Sequence, residues 1–279
     1  MAVKQNPKRR IHEHMCGIIG YTGERQAQAI LLEGLARLEY RGYDSAGIAV
    51  IDNARIRTVK RRGKLSVLKS AVSKRPLTGT AGIAHTRWAT HGAPNEMNAH
   101  PHSDCSGDIT LVHNGIIENY AALKEKLIAE GHAFKSETDT EVIVHLIEKF
   151  YKKPLDLEGA MRKALKLLTG SFAVAAVSRR EPGRIVGARL GSPLIVGVGR
   201  GENFLASDVP AVLSSTKDVI FLGENEMAVI AKDGYAITDL KGNAVSRKPS
   251  RITWDIAQAE KQSYEHFMLK EINEQPGIL

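Results

Sequence analysis

The sequence predicts an α+β fold in which sheets pack on one another and helices lie outside. Three observations carry this. Strand-like segments outnumber helical ones, both kinds occur towards both ends of the chain, and they do not alternate as in a doubly wound parallel sheet. A 43% hydrophobic content over 279 residues is enough for a substantial core.

Met15-Cys16-Gly17-Ile18-Ile19-Gly20 opens on an apolar run read as a buried strand, with Cys16 at its mouth. Gln26 to Glu39 places Ile30, Leu31, Leu35 and Leu38 at helical spacing, and Tyr40-Arg41-Gly42-Tyr43-Asp44 breaks that helix. Ala46 to Ile51 and Arg55 to Lys60 form a hairpin around Asp52-Asn53, and Leu65 to Ser73 is a short helix ended before Pro76. Gly82 to Thr86 and Ile109 to His113 are strands that run into polar residues. Asn119 to Glu130 is an amphipathic helix stopped by Gly131. Ser136-Glu137-Thr138-Asp139 opens the next, with Thr138 as N-cap and Glu141 completing a capping box. Leu157 to Leu168 is a further helix. Strand-like segments then follow at Phe172–Val177, Arg184–Ala188, Leu194–Val198, Asn203–Ala206, Val219–Phe221, Met227–Ala231 and Tyr235–Thr238. Ile256 to Gln275 carries a helical stripe with too little apolar surface to stand alone.

Composition narrows the function. Cys16 and Cys105 are the two cysteines, so no disulfide framework is implied and a reducing cytoplasm fits. No apolar run approaches the roughly 18 residues that span a bilayer, which argues against a membrane. The formal charge of +8 is spread along the chain, and 5% aromatics without basic–aromatic interleaving argue against nucleic acid. Residues 1–15, with Lys4, Lys8, Arg9 and Arg10, have the look of a leader or tag rather than a signal peptide.

Chemistry concentrates in a few places. If the chain began at Cys16, as initiator-Met trimming allows, its thiol and a free α-amine would share one residue. The α-amine has a pKa of about 7.7–8.0, so it can take the thiol's proton near neutrality. An amide nitrogen cannot, because resonance removes its basicity. As an internal residue, Cys16 reads from this stretch alone as a small buried hydrophobe at a strand start. His85-Thr86-Arg87-Trp88-Ala89-Thr90-His91-Gly92 gathers a guanidinium, an indole, hydroxyls and two imidazoles at a strand end. Arg87 offers a fork for a carboxylate, against the plainer reading of a surface turn. Asn114-Gly115 is either a turn or a pair of oxyanion donors. Asp139 is a first-turn acid that could also hold an ammonium group. His100, His102 and Cys105 invite a metal reading, but their spacing matches no standard zinc pattern and no metal is expected. No nucleotide-binding glycine fingerprint occurs, so no cofactor is expected.

Taken in order, Cys16-Gly17-Ile18-Ile19-Gly20, Tyr40-Arg41-Gly42-Tyr43-Asp44-Ser45-Ala46-Gly47, His85 to Gly92, His113-Asn114-Gly115-Ile116-Ile117-Glu118-Asn119 and Ser136 to Glu141 resemble the class II glutamine amidotransferases. The wording is closest to the branch that makes glucosamine 6-phosphate from fructose 6-phosphate. The resemblance implies an N-terminal-nucleophile hydrolase fold, a four-layer αββα sandwich of antiparallel sheets. It implies hydrolysis of L-glutamine to L-glutamate and ammonia through a cysteinyl thioester. Cys16 would be the nucleophile, Asn114 and Gly115 the oxyanion hole, and Asp139 the partner of the substrate's ammonium. Arg87 would hold the α-carboxylate with Thr90 and His91 assisting, and Trp88 would gate ammonia release. The implied organisation is a leader over 1–15, an amidotransferase domain over 16–255, and a linker helix over 256–279 towards a sugar-isomerase domain absent from this chain. The full-length form would be a homodimer. The other reading is a silent glutamine-binding module whose nucleophile amine is blocked by residues 1–15.

Overall fold

The computed structural model describes residues 16–254 apart from Tyr43, Asn53 and Ala54; the expected leader and linker helix lie outside the described residues. In chain order the elements are β1 (Gly17–Thr22), α1 (Ala27–Leu38), β2 (Ser45–Asp52), β3 (Arg55–Arg62), α2 (Leu65–Lys74), β4 (Ala81–Arg87), β5 (His102–Ser103) and β6 (Ile109–Ile117). They continue with α3 (Tyr120–Ala129), α4 (Thr140–Phe150), α5 (Leu157–Leu165), β7 (Gly170–Ser178), β8 (Ile185–Leu190), β9 (Ile195–Val198) and β10 (Asn203–Ala206). The last are β11 (Asp218–Phe221), β12 (Glu226–Ala231), β13 (Gly234–Asp239) and β14 (Ser250–Arg251).

The strands form two antiparallel sheets. One has eight strands in the order β14-β11-β9-β10-β1-β4-β2-β3, and the other six in the order β13-β12-β8-β7-β6-β5. Strand periodicity sorts the apolar residues onto opposite faces. Ile18, Ile83, Ala49 and Leu205 of the first sheet meet Val112, Ala173, Ala175 and Ile230 of the second in one core. Their neighbours Ile19, Ala84, Ile48 and Phe204 face the other way, onto Leu31, Leu35 and Leu38 of α1 and Leu68 of α2. On the far side Leu111, Phe172, Val174 and Met227 pack against Val144, Ile147 and Met161 of α4 and α5. Three cores separate four layers, helix–sheet–sheet–helix, which is the expected αββα sandwich.

Helix α4 differs from its prediction at one point. It begins one residue later, with Asp139 in the N-cap position and no side-chain cap. Glu141 does not close a capping box on Thr138. Its carboxylate instead accepts from the N–H groups of Lys135, at 2.8 Å, and Ser136, at 2.6 Å. From Thr140 to Ile147 every residue is buried. The helix is enclosed by β6, α3 and α5 rather than lying half in solvent.

Ile83 lies fully buried between the sheets. Truncation to Ala should therefore destabilise the protein by about 2–5 kcal/mol in urea unfolding. A loss below about 1 kcal/mol would contradict the layer assignment.

Candidate active site

The site lies where β1, β4 and β6 end together. Cys16 precedes β1, and β1 pairs with β4 so that Gly17 stands opposite Thr86, with Arg87 ending β4. Close approach demands a glycine here: a Cβ on Gly17 would lie 2.6 Å from Thr86 Oγ1 and 2.7 Å from Leu38 Cβ. From the opposite sheet, β6 supplies Asn114 and Gly115. Gly115 has φ +124°, and a Cβ there would lie 2.1 Å from the Ser171 carbonyl oxygen, so no other residue fits.

Trp88 holds the thiol with its own backbone. Its N–H donates to Cys16 Sγ at 3.1 Å, and the thiol donates back to its carbonyl at 3.4 Å. Asn114 Nδ2 donates to the Cys16 carbonyl at 2.8 Å. Asn114 Oδ1, 2.9 Å from His85 Nε2, can only accept, so His85 donates from Nε2 and fixes which way the amide faces. One hydrogen of the Nδ2 group is used by Cys16 and the other remains for a ligand oxygen.

Burial pushes the Cys16 thiol up to about 11. The Trp88 N–H and the Arg87 charge oppose that rise, and the Asp44 carboxylate adds to it. A thiol with that pKa is about one part in ten thousand thiolate at pH 7, so it reacts at a useful rate only with a base beside it. Burial also drives His85 down to about 3 and His100 well below its ordinary value, so both stay neutral near neutral pH. Their rings stack with centroids 4.2 Å apart, and His102 follows at 4.9 Å.

Arg87 is 3% exposed. Nη2 donates to the carbonyls of His91 and, at 3.2 Å, Gly92, whereas the buried Nη1 has no protein partner. That leaves a donor and a charge for an anionic ligand. Trp88 and Thr90 are exposed, and His91 packs its ring edge against Tyr120 at 5.2 Å. Asp139 is 3% exposed; Oδ2 accepts from the Ile117 N–H at 2.8 Å, which ties it to the end of β6.

Three supports carry no role in the sequence reading. Asp44 accepts from the Ala89 N–H and, at 2.8 Å, from Ser45 Oγ, pinning the segment that follows Arg87. Asn98 bridges Ala93 and Glu137 at 3.0 Å each, joining that segment to the one before α4. His85 orients Asn114. All are polar residues in or beside the quoted motifs, but their partners lie far away in sequence. Cys105 does not group with His100 and His102. His100 and His102 turn inward to Thr140 and Thr138 at 3.2 Å each, while Cys105 turns out towards α4.

A family profile described as "Glutamine amidotransferase domain" matches residues 85–214. Curated relatives named glutamine–fructose-6-phosphate aminotransferase (isomerizing) are similar over nearly the whole chain. One from Thermus thermophilus is 56% identical over 265 residues, covering 95% of this chain and 43% of its own length. That of Methanothermobacter thermautotrophicus is 56% identical over 266 residues, 95% of this chain and 45% of its length. The chain carries a glutamine amidotransferase domain. It spans less than half the length of these relatives. Among solved structures, the glutamine phosphoribosylpyrophosphate amidotransferase of B. subtilis is 26% identical with a TM-score of 0.71, covering 82% of this chain and 50% of its own. A class II domain protein of Silicibacter pomeroyi, 17% identical with a TM-score of 0.56, covers 80% of this chain and 99% of its own, and shares the fold. Both structures share the fold described above. Among the described residues, no helix is long and apolar enough to cross a membrane.

The charges around this amidotransferase thiol set opposite expectations for two variants. Below its pKa the alkylation rate of Cys16 follows its thiolate fraction. At about pH 8, Asp44→Asn should alkylate faster than the parent, because a negative charge beside the thiolate is gone. Arg87→Gln should alkylate more slowly for the converse reason. Peptide-resolved mass spectrometry after timed iodoacetamide treatment measures both.

Proposed function

We propose that this chain is the glutamine-hydrolysing part of a glutamine–fructose-6-phosphate aminotransferase. It releases ammonia from L-glutamine through a thioester on Cys16. The observation that carries the reading is the fixed thiol: the Trp88 N–H holds Cys16 Sγ, Asn114 donates to the Cys16 carbonyl, and Arg87 Nη1 is buried and free for a carboxylate.

In this mechanism the chain starts at Cys16. Its α-amine takes the thiol proton as Sγ attacks the side-chain carbonyl carbon of glutamine. The oxygen gains the negative charge and is met by Asn114 Nδ2 and the Gly115 N–H, which need little reorganisation because Asn114 is already oriented by His85. Return of that proton to the amide nitrogen lets the C–N bond break, ammonia leave and the thioester form. Water, deprotonated by the same amine, then attacks the thioester, and glutamate and the free thiol result. Arg87 binds the α-carboxylate and Asp139 the α-ammonium, so a ligand must carry both charges at that separation. Thr90 and His91 belong to the segment that closes over glutamine, and Trp88 gates the exit of ammonia.

On this reading, in a longer chain the ammonia would pass to a sugar-isomerase domain that uses fructose 6-phosphate, and two such chains would pair as a homodimer. Two free thiols suit a reducing cytoplasm. A second reading rests on one observation. A thiol held near 11, joined to an upstream peptide, lacks the base it needs, so the form carrying residues 1–15 binds glutamine without turning it over.

Two preparations separate these readings, one starting at Cys16 and one retaining residues 1–15, each verified by intact mass. The first should hydrolyse glutamine and the second should be slower by about 10²–10⁴, the usual worth of a general base. In the first, Cys16→Ala should reduce glutamate formation to background. Asp139→Ala should raise KM for glutamine by about 10–100-fold with a smaller change in kcat, as loss of a charge-assisted contact requires. Equal turnover by both preparations would sink the proposal.

A further inference from the structure

Away from the nucleophile, four side chains from three separate segments converge on one point at the outer end of α4. We propose that Cys105, His132, His145 and Glu148 form a closed structural site for a divalent metal ion of the zinc type. Their donor atoms, Cys105 Sγ, the Nδ1 atoms of His132 and His145 and a Glu148 carboxylate oxygen, all lie within 4.8 Å of one another.

The geometry suits a tetrahedral ion. Zinc bonds of about 2.0–2.3 Å place neighbouring ligand atoms roughly 3.3–3.8 Å apart. Cys105 Sγ stands 3.7 Å from His145 Nδ1 and 4.0 Å from His132 Nδ1. Glu148 Oε2 is nearer the two imidazoles, at 3.0 Å from His145 Nδ1 and 2.7 Å from His132 Nδ1. Admitting an ion requires that carboxylate to draw back by under about 1 Å, a small side-chain rotation given those spacings. One thiolate, two imidazoles and one carboxylate are the donor types zinc takes, and the two negative charges balance its own.

The surroundings are those of a metal site as well. The Ala133 N–H donates to Cys105 Sγ at 3.3 Å. The far nitrogen of His145, Nε2, is buried without a hydrogen-bond partner and stands 3.6 Å from Glu141 Oε1. Glu141 is itself fixed by Ser136 Oγ at 2.6 Å and by two backbone N–H groups. A carboxylate behind a ligating imidazole sets its tautomer and raises its basicity. Burial works to raise Glu148, yet its bonds to His145 and His132 prevail and hold it below the ordinary carboxylate range. Burial, with Glu148 beside it, holds the Cys105 thiol up against the Ala133 N–H. A cation reverses that last balance, because it favours the thiolate. Cys105 is exposed and His145 buried, so the ion has a path in from solvent and a floor.

The protein supplies all four donors, so the role is structural rather than catalytic. The ion would staple the turn after β5 and the segment after α3 to α4. His145 lies six residues along α4 from Asp139, about 9 Å at 1.5 Å per residue. The site is independent of the glutaminase reading: its failure would leave that untouched, and the reverse.

The test uses the full 279-residue chain, stripped with chelator and titrated with cobalt(II), then zinc(II). One equivalent of cobalt should give a thiolate-to-metal charge-transfer band and the intense visible bands of a four-coordinate ion, both displaced by one equivalent of zinc. The spectrum should persist in Cys16→Ala and vanish in Cys105→Ser. Zinc in about 100-fold excess over its dissociation constant should raise Tm by roughly 5 °C or more in the parent. It should leave Cys105→Ser and Glu148→Gln unmoved. These replacements are near-isosteric, so their melting in chelator also reports whether they fold. Absence of the charge-transfer band, weak six-coordinate absorption, a spectrum surviving Cys105→Ser, or one lost in Cys16→Ala would each overturn the assignment.

Discussion

The register between β1 and β4 is the constraint on which the site depends. With Gly17 opposite Thr86, the residue before β1 and the residues ending β4 emerge side by side, and the Trp88 backbone reaches the Cys16 sulfur. A slip of one residue would turn Ile18 and Ile83 out of the core between the sheets and move the thiol away from Arg87. Burial on both faces of the first sheet forbids such a slip. Ile18 and Ile19 are both fully buried, against different layers. The hydrophobic effect therefore sets the position of the Cys16 thiol, although the contacts that hold its sulfur are polar.

From the sheets outward, the site is joined by polar contacts rather than by packing. Neutral His85 orients Asn114, and its ring stacks on His100, whose Nε2 lies 3.2 Å from Thr140 Oγ1. His113 Nδ1 meets the same hydroxyl at 2.9 Å, and Thr138 and Thr140 flank Asp139 on either side. Asp139 is thus connected to Asn114 and Cys16 through buried imidazoles and hydroxyls. Such a chain is stable only if its members stay uncharged, because a second cation near Arg87 inside the fold would be strongly unfavourable. Burial, the main cause holding His85 and His100 low, is what keeps them uncharged.

Local sequence was most informative where one period dominated. Ile30, Leu31, Leu35 and Leu38 gave α1, and all four are buried against the first sheet. The hairpin of β2 and β3 and the strands from Phe172 onwards emerged in the same way. What failed was any inference from neighbours in sequence about side chains whose partners are distant. Thr138 and Glu141 have capping-box spacing, but Glu141 is claimed by Lys135 and Ser136, so the helix starts at Thr140, after Asp139 as N-cap, without that box. Likewise the partners of His100 and His102, Thr140 and Thr138, lie over thirty positions away in sequence. Asp44 is visible in the sequence only as part of a motif. Its work on the Ala89 N–H depends on β2 lying beside β4.

Helix α4 shows why those misreadings share a cause. A helix with one solvent face spends its polar residues on water, and local rules of capping and spacing then hold. This one is enclosed from Thr140 to Ile147, so its polar residues must find protein partners. Glu141 and His145, one turn apart, do so towards the segment before the helix and towards Cys105, and Asp139 does so towards the Ile117 N–H. Each bond fixes the helix to a different part of the second layer. Asp139 is held relative to β6 by these fixings together, which gives its carboxylate a defined position. The same enclosure that hid these partners from local sequence rules holds the Asp139 carboxylate in place, as the proposed binding of a zwitterion requires.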